Sequence, residues 1–109
     1  MNQKEKILAA IDIGTNSFHL VVAKVNEKGA IKILTREKEV VRLGKSSAEM
    51  KYLSEDAMQR GIATLKRFKL ICDSFDAGVR AVATSATREA LNKNEFIDRV
   101  FDSTKIKIE

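Results

Sequence analysis

Residues Ala10 to Leu20 read AIDIGTNSFHL. The apolar run from Lys6 to Ile13 carries one acid, Asp12, into Gly14 and then into Thr15-Asn16-Ser17, after which the chain turns apolar again. Such a run predicts a strand covered on both faces. Ser17 to Val25 predicts a second strand, with Ser17, His19 and Val21 on one face and Phe18, Leu20 and Val22 on the other. A carboxylate at the carboxyl end of a strand lies where open α/β sheets gather ligands. Gly14 permits a sharp turn and leaves no side chain in a ligand's way. Thr15, Asn16 and Ser17 offer successive N–H donors, two hydroxyls and an amide, a set suited to an anion-binding concavity for phosphate. Asp12 would repel that phosphate unless a cation lay between, so it points to Mg²⁺, held directly or through water, or to a carboxylate that orients a water. A plain hairpin whose Asp accepts hydrogen bonds from the turn has the same spacing. His19 is either a packed or surface histidine or a ring N–H donor to a phosphate oxygen.

Outward from this stretch, Asn26-Glu27-Lys28-Gly29 is a turn signal, and Ala30 to Leu43 predicts a long third strand, bent or at an edge because its middle is polar. Gly44 to Lys51 is a polar loop. Its Gly44-Lys45-Ser46 imitates the tail of a P-loop, but Glu39 stands where the first glycine of that motif would have to be. Ser54 can cap a helix whose apolar face is Met58, Ile62, Leu65, Phe68 and Cys72, ending near Phe75. Gly78 to Thr84 predicts a fourth strand, Ser85 to Leu91 a short helix, and Asn92 with Glu95 a capping box for another helix through about Phe101. Lys105 to Ile108 alternates like a fifth strand. The order β-β-β-α-β-α-β is an α/β layer fold with a mixed sheet. A strand at the very end reads as one part of a larger unit.

The second site-bearing stretch is Val82-Ala83-Thr84-Ser85-Ala86-Thr87-Arg88-Glu89-Ala90. A strand ends again and hydroxyl residues open a helix, an arrangement that favours anions, with the Arg88 fork of donors one turn in. The plainer reading makes Thr84 or Ser85 a simple cap and Arg88 the partner of a surface acid.

Composition bounds these readings without choosing among them. A chain of 109 residues, 44% hydrophobic and 32% charged, is one globular domain or a piece of one. One cysteine, Cys72, rules out an internal disulfide framework, fits a reducing compartment, and reads as a small buried residue. No apolar stretch approaches the roughly 20 residues of a membrane span, and the start MNQKEK is polar, so the chain reads as cytoplasmic. The net charge of +5 is scattered among 15 acids with no interleaved aromatics, which disfavours nucleic acid and suits the steering of a small anionic substrate.

Together AIDIGTNSFHLVVAKV and RAVATSATREALN, with Val41-Arg42-Leu43-Gly44 and the helix to Lys66-Arg67-Phe68 between them, resemble the exopolyphosphatase and guanosine pentaphosphate phosphohydrolase family. This is a branch of the actin-like, sugar kinase and Hsp70 ATPase superfamily. The resemblance implies a ribonuclease H-like fold and Mg²⁺-dependent removal of a terminal phosphate from polyphosphate or guanosine pentaphosphate, which would tie the parent to the stringent response. It implies that Asp12 to His19 form the first phosphate loop: Asp12 positions metal or water, and Gly14, Thr15, Asn16, Ser17 and His19 bind phosphate. Thr84 and Ser85 would join them, with Arg88 stabilising phosphate charge. The family's S-G-x-E-E-A segment, whose glutamate is the expected base, and its second loop D-I-G-G-G-S-T-E are not in these residues. Residues 1–109 therefore read as the N-terminal portion of such a domain, inactive alone and inclined to self-associate as a dimer through an exposed edge. Glu109 lies outside the S-G-x-E-E-A context and is not assigned as the base. A sugar or acetate kinase-like fragment shares the first loop type, but A-T-S-A-x-R-E-A argues against it. A non-catalytic polyphosphate- or nucleotide-binding module is the rival of another class.

Overall fold

The computed structural model describes residues 5–44 and 52–109, excluding the side chains at 85 and 86. The elements are β1 (Lys6–Ile13), β2 (Ser17–Val25), β3 (Ile31–Val40), α1 (Glu55–Ser74), β4 (Gly78–Ala83), α2 (Ser85–Glu89) and α3 (Lys93–Thr104). The strands form one sheet in the order β3-β2-β1-β4, with the first three antiparallel and β4 parallel to β1. This is the mixed α/β sheet expected. β3, polar in its middle, is an edge strand, and the β2–β3 register shifts between Val22 and Ala23. Asn26 builds the turn between them: its Oδ1 accepts the N–H groups of Lys28 and Ala30, and Gly29 takes the left-handed φ of 82°.

The helices cover one face of the sheet. Ile11, Ile13, Phe18, Leu20 and Val22 point into a core with Leu65, Phe68 and Cys72 of α1 and Phe96 and Val100 of α3. Ser54 caps α1 as its position foretold, accepting the Ala57 N–H at 3.0 Å. Gly61 lets α3 close onto α1: a Cβ there would sit 3.0 Å from Phe96 Cζ and 3.3 Å from Phe18 Cζ. Arg67 ties α1 to the edge strand by donating to Glu37 and Glu39, whose side chains share the inner face with Phe18 and Leu20.

Five sequence expectations need correction. The third strand stops at Val40, not Leu43, because Val41 and Arg42 turn their N–H groups to the Asn16 carbonyl and Arg42 takes a left-handed φ of 54°. β1 is not covered on both faces: Leu8, Ala10 and Asp12 are exposed, and with Ile33 of β3 and Val82 of β4 they belong to an open face. The continuous apolar run concealed this because Leu8 and Ala10 are apolar on the uncovered side too. The fifth strand is a single bridge, Ile108 to Ala81: α3 runs on to Thr104, and Lys105 turns left-handed at φ 63° before the chain meets β4. The short helix stops at Glu89, not Leu91. Asn92 stands at the N-cap of α3, but its side chain does not cap. It accepts the Leu53 N–H and donates to the Leu53 carbonyl, while Glu95 meets Arg99. The loop from Lys45 to Lys51 lies outside the described residues, and no described helix is long and apolar enough to cross a membrane.

Candidate phosphate site

Both site-bearing stretches meet at the carboxyl ends of β1 and β4. Parallel pairing puts Ile13 beside Ala83, and the next residue, Thr84, donates both its N–H (3.1 Å) and its Oγ1 (3.3 Å) to the Ile13 carbonyl. Thr84 stands at the N-cap of α2 without a capping side-chain bond, so the simple-cap reading does not hold for it. The side chain of Ser85 lies outside the described ones.

The turn between β1 and β2 is closed by the Gly14 N–H, which donates to the Ser17 carbonyl at 3.1 Å. A Cβ at Gly14 would lie 2.6 Å from that same oxygen. Gly14 is thus required by the close approach of two backbones, and its own N–H is spent on the turn. Residues 41–44 brace the turn from the other side. Val41 and Arg42 N–H both donate to the Asn16 carbonyl (2.9 and 2.8 Å), and Gly44 N–H donates to Thr15 O at 3.0 Å. A trans peptide points its N–H opposite to its C=O. Fixing the carbonyls of Thr15 and Asn16 toward residues 41–44 therefore aims the N–H groups of Asn16 and Ser17 the other way. Two adjacent, similarly directed N–H groups are the element of an anion-binding concavity.

Asp12 is exposed and its side chain has no partner among the described residues, so it is not the turn-satisfying acid of a plain hairpin. It pairs with His19 on β2 and Val82 on β4, and His19 pairs with Lys38 on β3. A row Val82, Asp12, His19, Lys38 therefore crosses the open face. His19 is exposed, not packed. Arg88 is exposed, and its guanidinium has no acidic partner among the described residues. Three features were missed from sequence: Lys38, whose place depends on register, and the bracing by Arg42 and Gly44, which joins residues far apart in the chain.

Two small-residue turns thus meet at the carboxyl ends of neighbouring parallel strands, the place where open α/β sheets gather ligands. The family model of the Ppx/GppA phosphatase family matches residues 20–109, and the chain belongs to that family. It is 42% identical over 107 residues to a bifunctional 3-dehydroquinate synthase/phosphatase of Fusobacterium nucleatum, covering 92% of this chain and 16% of that protein. Two solved structures align over most of the chain. One is a Ppx/GppA family member from Aquifex aeolicus (34% identity, TM-score 0.89, 96% of this chain and 34% of that one). The other is an exopolyphosphatase from Cytophaga hutchinsonii (36% identity, TM-score 0.90, 95% of this chain and 33% of that one). The chain therefore spans about a third or less of the length of these relatives.

Proposed function

We propose that residues 1–109 are the N-terminal, phosphate-holding part of a hydrolase that removes terminal phosphate from inorganic polyphosphate or guanosine pentaphosphate. The observation that carries this reading is the join at Ile13, where one carbonyl takes both Thr84 bonds and so sets the two small-residue stretches side by side. The relative from Cytophaga hutchinsonii is an exopolyphosphatase, which supports the substrate class.

In this reading the Asn16 and Ser17 amides and the Thr15 and Ser17 hydroxyls receive a phosphate, and Gly14 leaves it room. His19 and Arg88 add donors from the two flanks. Such chemistry is mostly positioning and electrostatic stabilisation. No group of three or more carboxylate, His or Cys ligands exists among the described residues. The described residues thus offer no metal cage, but Mg²⁺ usually takes only one or two protein carboxylates and fills its shell with water and phosphate oxygens. An exposed, unpartnered Asp12 fits that role. When bound, the ion would neutralise phosphate charge.

Glu109 is poorly suited to be the base. Arg80 donates to both of its oxygens, at 2.9 and 2.6 Å, and this fork holds the carboxyl below its usual range. The base is assigned to the part of the relatives' length that this chain does not span, so the chain alone is inactive. The test offers polyphosphate and guanosine pentaphosphate side by side to this chain with Mg²⁺ and measures phosphate release. No release from the chain, with release from a protein carrying the remaining length, is expected. Release by the 109-residue chain alone defeats the division of labour.

A further inference from the structure

We propose that Arg42 is a further binding residue, which takes the phosphate group next to the one held by the Thr15–Ser17 turn. The inference rests on the reading of that turn as a phosphate site.

Arg42 has a φ of 54°, a region that side chains with a Cβ rarely adopt. Four hydrogen bonds hold it there or secure its neighbours. Its own N–H and that of Val41 reach the Asn16 carbonyl. From the other side Arg60 of α1 donates Nε to Val41 O (2.8 Å) and Nη2 to Arg42 O (3.0 Å). The helix thus clamps the strained turn against the phosphate turn. A backbone held so firmly in a disfavoured region invites a functional explanation.

That explanation lies in what the turn presents. The Arg42 side chain is exposed and its guanidinium has no partner among the described residues. It borders a cavity of about 170 Å³ whose other walls, among the described residues, are Thr15, Asn16 and Gly44. None of those described walls carries charge, and the carbonyls of Thr15 and Asn16 are already bonded to residues 41–44, so neither opposes an anion. A guanidinium binds a phosphate through two parallel N–H bonds. Because the Asn16 and Ser17 amides face away from residues 41–44, the linked phosphates would cross the rim of the turn, one group on those amides and the next on the long, exposed Arg42 side chain.

The test compares inorganic tripolyphosphate, which has linked phosphates, with orthophosphate, which has one. Two variants are used. Arg42→Gly removes the guanidinium and suits the left-handed backbone, and Arg42→Lys keeps the charge without the fork. Calorimetry is expected to give about a tenfold weaker tripolyphosphate affinity for Arg42→Gly, with orthophosphate affinity unchanged and Arg42→Lys between. In the wild type the Arg42 Nε–H resonance should shift with tripolyphosphate. Tripolyphosphate affinity unchanged in Arg42→Gly, or an unmoved Nε–H signal, overturns the proposal. Amide resonances of residues 15–17 separate the two claims. If they shift while Arg42→Gly binds normally, Arg42 alone is misassigned. If they never shift, the phosphate site itself fails and Arg42 with it.

Discussion

Gly14→Ala should damage both the fold and the site, and its cost follows from the local geometry. The added Cβ would lie 2.6 Å from the Ser17 carbonyl oxygen. That oxygen must retreat by about 0.4 Å to reach even 3.0 Å, a distance below which real Cβ contacts essentially never fall. It belongs to the backbone and cannot rotate away as a side chain would. It is also the acceptor for the Gly14 N–H at 3.1 Å, so retreat stretches the bond that closes the turn toward the limit of about 3.5 Å. Losing the bond costs roughly 1 kcal/mol net, and forced displacement in a packed region typically adds about 1–3 kcal/mol. The expected total is about 2–4 kcal/mol, read in urea as a lower midpoint with the slope unchanged. Gly29→Ala is the control. Nothing lies within 4 Å of its Cβ and only its φ of 82° is unfavourable, so about 1 kcal/mol is expected. Equal midpoints for Gly14→Ala and the wild type would refute the reasoning.

Asp12→Asn should leave the urea midpoint within about 0.5 kcal/mol, since Asp12 is exposed and unpartnered among the described residues, while removing any Mg²⁺ dependence of tripolyphosphate binding. Glu55 is expected to stabilise the fold at neutral pH and to lose that contribution in acid, because hydrogen bonds from Arg99 and then Gln59 hold its carboxyl below the usual range. A depressed pKa stabilises the fold above the unfolded value and loses that contribution as pH falls through the folded one. Stability therefore drops as pH falls through and below the ordinary carboxylate range, and Arg99→Met should flatten that limb of a stability–pH curve. The open face carrying Leu8 (45% exposed) and Val82 (48% exposed) should make the chain self-associate on sizing, and Leu8→Lys with Val82→Lys should return a monomer. A wild-type monomer at every concentration would count against that.

Periodicity carried most of the fold. Met58, Ile62, Leu65, Phe68 and Cys72 repeat at helical spacing because one stripe of α1 meets the sheet, and all are buried. The alternation from Ser17 to Val22 assigned both faces of β2 correctly because one face is packed and the other is not. β1 was misread because apolar residues occupy both of its faces, and a pattern of hydrophobicity alone does not reveal which face a helix covers. Asn92 was misread because a capping residue and an amide that bridges to a distant backbone look alike in sequence. Its partner, Leu53, is 39 residues away. The turn at Asp12 was legible because Gly14 and its small polar neighbours are local. Its bracing by Arg42, Gly44 and Arg60 was not, since those bonds depend on how β3 ends and where α1 lies.

The central claim is that the turn from Asp12 to Ser17 holds phosphate. The most direct measurement is a titration of the isotope-labelled chain with tripolyphosphate and Mg²⁺, following every backbone amide. The account predicts saturable shifts centred on Thr15, Asn16 and Ser17, with smaller ones from Thr84 to Arg88. Shifts spread evenly over the surface lysines, with residues 14–17 unmoved, would contradict it.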